Sequence, residues 1–68
     1  MKIIKIDSEY IKLDQFIKWC GEAGSGSDAK AMVLSGGIMV NGEEELRRGR
    51  KLRPGDVVKI KGREFKLE

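Results

Sequence analysis

Apolar positions recur along this chain with two different periods, and the change between them divides it. Lys2, Ile3, Ile4, Lys5 and Ile6 read as a short strand. From Ile11 or Leu13 the period lengthens: Leu13, Phe16, Ile17 and Cys20 fall at i, i+3, i+4 and i+7, one stripe of an amphipathic helix predicted over 13–22. Asp14 in the first turn suits the positive end of the helix dipole, and Gly21 and Gly24 weaken and end the helix. A second helix, over 26–35, follows the connection Gly24-Ser25-Gly26-Ser27. Ser25 is placed as its N-cap, with Asp28 three residues on, and Ala29, Met32 and Val33 form its apolar stripe. Gly36-Gly37 stops it.

Beyond Gly37 the period becomes two. Ile38-Met39-Val40 reads as a strand that ends at the tight-turn pair Asn41-Gly42. Arg53-Pro54-Gly55-Asp56 is a turn, Val57 to Lys61 a strand, Gly62-Arg63 a hairpin tip, and Glu64 to Leu67 the closing strand. The expected fold is α+β: a helical hairpin packed on a small, mostly antiparallel set of short strands, as one domain spanning 1–68. Its core should join Leu13, Phe16, Ile17, Ala29, Met32 and Val33 to Ile38, Val40, Val57 and Ile60. Trp19 and Cys20, on or beside the first helix stripe, are expected to pack in the core or at its boundary.

A domain of this size buries only about 60% of the surface its unfolded chain exposes. Such a thin core leaves little protein to wall a deep substrate cavity, so a surface-binding role is favoured. With no His and a single Cys, the usual Cys/His zinc site and an internal disulfide are both excluded, and no cofactor is implied. No His is available as a general base, no Ser-Lys or paired-carboxylate arrangement has a recognisable setting, and the chain reads as a non-enzyme. Neither a signal peptide nor a run of about 20 apolar residues is found, so a cytoplasmic protein without a membrane partner is expected.

Charge sharpens this. Residues 1–46 carry five Lys against eight Asp and Glu, whereas residues 47–68 carry nine Lys and Arg against three acids. The densest feature is Arg47-Arg48-Gly49-Arg50-Lys51-Leu52-Arg53, with five cations in seven residues. Arginine offers a planar fork of donors that matches phosphate oxygens and also stacks on bases. Cations packed so closely repel one another unless an anion is bound, which points to a nucleic acid. The plainer alternative is a solubilising loop paired with Glu43, Glu44 and Glu45. The start of the second helix is a further candidate phosphate site, through its free amides, the hydroxyls of Ser25 and Ser27, and Lys30. The Gly-Ser-Gly run is no nucleotide loop, because no Gly-Lys-Ser/Thr follows it.

Taken together, "LDQFIKW", "SGSDAKAMV", "GGIMVNGE" and "KLRPGDVVKIKG" stand in the order and spacing of the S4 RNA-binding domain (the alpha-L motif), which this chain resembles over about residues 11–62. The "RRGRKL" stretch more narrowly resembles the short stand-alone bacterial members. The resemblance implies a monomeric module whose helix pair and following loop bind structured RNA, ribosomal or transfer RNA, with the ribosome as a setting. Carried over by position, it implicates Ser25, Ser27, Lys30, Asn41, Arg47, Arg48, Arg50, Lys51 and Arg53. Two positions depart from the wider family: Gly26 stands where an arginine is frequent, and Ala31 where a further basic residue is common. The helical half is therefore less charged, and the Arg47–Arg53 segment would have to carry more. The reading from another class is a protein-interaction adaptor whose basic loop docks on an acidic partner.

Overall fold

In the computed structural model, which describes residues 1–68, the chain opens with β1 (Lys2–Ile4) and β2 (Ile11–Lys12). It runs through α1 (Leu13–Trp19) and α2 (Gly26–Leu34) into β3 (Ile38–Val40), β4 (Glu43–Glu44), β5 (Lys51–Leu52), β6 (Val57–Ile60) and β7 (Arg63–Leu67). Five strands form one sheet in the order β1-β7-β6-β3-β4, and β2 and β5 pair separately. The fold is α+β with two helices and mixed sheets. Only β1 and β7 run parallel, a pairing that brings the two ends of the chain side by side.

Local chemistry sets each boundary. α1 is shorter than its apolar stripe suggests because a glycine cap closes it. The Gly21 amide donates to the Lys18 carbonyl, the Glu22 amide donates to Ile17, and Gly21 sits at φ 83°, where a side chain would be strained. α2 begins as expected, with Ser25 Oγ accepting from the Asp28 amide at 3.1 Å. Two-residue turns join β3 to β4 and β6 to β7. Their central residues, Asn41-Gly42 and Lys61-Gly62, all lie at positive φ, the geometry that matches strand twist. Asn41 is at home there, whereas Lys61 at φ 50° is not a residue that announces such a turn.

The core is a ladder of side chains on one sheet face, closed by the helices. Val40 lies opposite Val58, and Val58 opposite Phe65; Ile38 lies opposite Ile60. Leu13, Phe16 and Ile17 of α1 and Ala29 and Val33 of α2 are fully buried against this face. Phe16 meets Phe65 edge to face, with ring centroids 6.2 Å apart. Three expectations are corrected. Val58, not Val57, points inward, because Ile60 fixes the inner face and a strand repeats every two residues. Met32 is only half-buried, at the edge of the helix pair. Trp19 is 65% exposed: it falls off the Leu13/Phe16/Ile17 stripe and lies on the side of α1 that carries Gln15. Cys20 packs partly against the core, its Sγ bonded to the Ile17 carbonyl at 3.4 Å, and burial raises its thiol pKa. No helix is long and apolar enough to cross a membrane.

Candidate nucleic-acid interface

The basic segment is held in place from three directions. Residues Arg47 to Arg50 form a turn closed by the Arg50 amide on the Arg47 carbonyl at 3.2 Å. Lys12, which precedes α1, offers its first turn no side-chain cap. Instead the Leu13 amide donates to the Arg50 carbonyl at 2.8 Å and the Asp14 amide to the Arg48 carbonyl at 3.0 Å. The loop therefore caps the helix with its own backbone, satisfying donors that would otherwise need water. On the far side of the turn, β5 pairs with β2, placing Ile11 opposite Leu52 and Lys12 opposite Lys51. Leu52 is fully buried and anchors that strand.

The third hold is electrostatic. Glu45 is the one charged residue buried in the fold, 5% exposed. Its Oε2 accepts from Arg47 Nε at 3.0 Å and from the Arg47 amide at 3.1 Å, and its Oε1 accepts from Arg47 Nη2 at 3.2 Å and Arg50 Nη1 at 2.9 Å. Hydrogen bonds from the Arg47 side chain first, and Arg50 second, hold the Glu45 carboxyl down at about 2 from an ordinary 4.5. The same pairing raises the Arg47 pKa. Of the three glutamates weighed as partners for the loop, only Glu45 makes an ion pair.

What remains is a set of cations without a carboxylate partner in the chain. Arg48, Lys51, Arg53 and Lys12 are exposed, and the three ion pairs of the molecule involve Arg47, Arg50 and Arg63 instead. Lys12 and Lys51 stand directly opposite each other across a strand pair, which places like charges on the same face at a cost. Lys51 Nζ and Arg53 Cζ lie 4.8 Å and 5.9 Å from the centre of the Tyr10 ring. The surface is thus a group of unneutralised cations on a backbone tied to α1 and β2, an arrangement suited to an anion.

The S4 domain family matches residues 4–68, which takes in both helices, the basic loop and all but the first three residues. This chain belongs to the S4 domain family. It is also 48% identical over 59 residues, covering 87% of its length and 83% of the relative's, to the probable ribosome maturation protein RlbA of Bacillus subtilis (strain 168).

The other residues singled out in this S4 domain are placed as follows. Ser25, Ser27 and Lys30 are exposed at the start of α2, and no hydrogen bond or ion pair joins them to the basic loop. Asn41 is exposed, and its side chain is engaged within the chain: its Nδ2 donates to Asp56 Oδ1 at 3.1 Å and its Oδ1 accepts from the Val57 amide at 2.9 Å. Asp56 in turn accepts from the Arg53 amide at 2.8 Å, so Asn41 and Asp56 together set the turn that carries Arg53. Sequence reasoning overlooked Lys12 and Tyr10, and it did not separate Glu45 from its two neighbours as the partner of the loop. Lys12 and Tyr10 join the site only through the β2–β5 pairing, which links residues some forty apart, and two-residue strands have no periodicity to detect. Glu45 is the third of three consecutive glutamates, and nothing local distinguishes it.

Proposed function

We propose that residues 1–68 act as one non-catalytic S4-type (alpha-L) unit that binds structured RNA, with phosphates seated on Lys12, Arg48, Lys51 and Arg53. Arg47 and Arg50 serve a double purpose: they secure the loop through Glu45 and present their remaining donors to the RNA. Ser25, Ser27 and Lys30 extend the surface as a second, less charged patch, and Asn41 contributes by fixing the turn that starts at Arg53. The observation that carries this reading is the unrelieved pair Lys12–Lys51 beside Arg48 and Arg53, on a loop whose backbone is pinned to α1. A flexible solubilising loop would need none of these holds. Phosphate contacts would supply most of the affinity and the shape of the helix the selectivity, because side chains do not reach into the deep major groove of A-form RNA. The name of the Bacillus subtilis relative supports ribosomal RNA as the target class and a role beside the ribosome, in the cytoplasm.

The test is a titration of a labelled RNA hairpin at several salt concentrations, with duplex DNA of equal length beside it. Affinity should fall steeply with salt as counterions are released. Arg48→Gln and Lys51→Gln should each lower the log–log slope by about 1. Both cations are exposed, so the melting temperature should hardly move. Equal affinity for DNA, or a slope unchanged by either substitution, would leave only a generic basic patch. Shallow RNA binding, together with loss of an acidic protein partner in both variants, would favour the adaptor.

A further inference from the structure

Trp19 and Tyr10 line the same shallow groove, of about 220 Å³, together with Asp7, Ser8 and Gln15. Trp19 is 65% exposed and Tyr10 37% exposed, so both rings leave apolar surface facing water. Packing accounts for neither: the core is closed by Leu13, Phe16 and Ile17, which lie on another side of α1. We infer that this groove takes a single unstacked nucleobase from the RNA held by the basic loop, a reading that rests on the RNA function proposed above.

Four features select that occupant. Drug-sized ligands fill pockets of about 300–1,000 Å³, so this groove suits one planar ring system and not a large metabolite or a partner helix. Trp19, 65% exposed, offers an open π face, and bases splayed from bulges and loops are bound by stacking on such rings. Gln15 carries an amide with two donors and an acceptor, the complement that reads a base edge. Ser8 spends its proton on the Tyr10 carbonyl at 2.8 Å, which leaves its oxygen as an acceptor towards the groove. Charge fixes the orientation. Asp7 in the lining repels a phosphate but can accept from an exocyclic amino group, whereas Lys51 and Arg53, placed over the Tyr10 ring, attract the phosphate. The base therefore enters the groove while its backbone stays on the loop.

The chain holds one tryptophan, so its fluorescence reports on Trp19 alone. The full chain is titrated with three RNA hairpins of the same stem: fully paired, with a single bulged adenosine, and with an abasic residue in the bulge. The bulged adenosine should bind about tenfold tighter than the abasic hairpin and quench Trp19 emission, which the other two should not. Trp19→Ala, and Trp19→Leu as a variant that keeps apolar bulk, should abolish the tenfold preference while leaving affinity for the fully paired stem unchanged. Arg48→Gln should weaken all three hairpins in proportion. Tight binding of all three with equal affinity, or no quenching by the adenosine, overturns the groove assignment but leaves the RNA function standing. Failure to bind any of the hairpins overturns both.

Discussion

Replacing Phe16 with alanine should cost the fold about 3–5 kcal/mol. Phe16 is fully buried and meets Phe65 of β7 edge to face, and so joins the helical half of the molecule to the sheet. Leu13 and Ile17 beside it are equally buried, and α1 is only seven residues long, too short to hold its shape without this packing. Domains are stable by about 5–15 kcal/mol in total, and one this small belongs near the bottom of that range. Most of the variant should therefore be unfolded at ambient temperature, with a matching fall in the urea midpoint. A Phe16→Ala protein that melts within about a degree of wild type would show that the core is assembled differently, since 1 kcal/mol alone shifts a domain of this size by several degrees.

Glu45 should make the fold acid-sensitive. Its carboxyl titrates at about 2 in the folded protein, below the ordinary 4.5, so the folded state favours the charged form. The stabilisation is then complete above about pH 5 and is lost as pH falls through the range down to 2. Its size should be about 1–3 kcal/mol, the lower part of that range being favoured because Arg47 is largely exposed and water screens the pair. Glu45→Gln should lower stability by this amount at pH 7 and flatten the decline between pH 5 and 3, as read from denaturation curves at each pH. A variant that declines with pH as steeply as wild type would mean that Glu45 does not secure the loop. Arg50 should loosen with it, so amide exchange at Leu13 and Asp14, which the loop caps, should quicken in the variant.

Why part of this was legible in the sequence and part was not follows from the range of each interaction. The Leu13/Phe16/Ile17 stripe, the Ser25 cap and the Asn41-Gly42 turn are local, and each is specified within a few residues. The strand faces were legible once register was known; Val57 and Val58 are alike in character, and only the partners Val40 and Phe65 decide which turns inward. Trp19 was misplaced for a similar reason: on a helix of two turns, one position beside the stripe is already at the surface. The basic loop was visible as composition, but its rigidity was not. That rigidity comes from Ile11 and Lys12, from the bare N-terminus of α1 and from Glu45, three partners that composition does not connect. The family pattern supplied the order of elements and the region of the candidate surface, and the structure brings Lys12 and Tyr10 beside that region.

The central claim is that the cations gathered around the start of α1 form the RNA surface. Mapping backbone amide shifts of the isotopically labelled chain during titration with an RNA hairpin tests it most directly. The largest changes should fall on Tyr10, Lys12, Arg48, Gly49, Lys51 and Arg53, with smaller ones on Ser25, Ser27 and Lys30, and all should fade as salt is raised. Changes concentrated instead on the groove lined by Lys2, Cys20, Arg63 and Phe65, with Arg48 to Arg53 unmoved, would contradict the account.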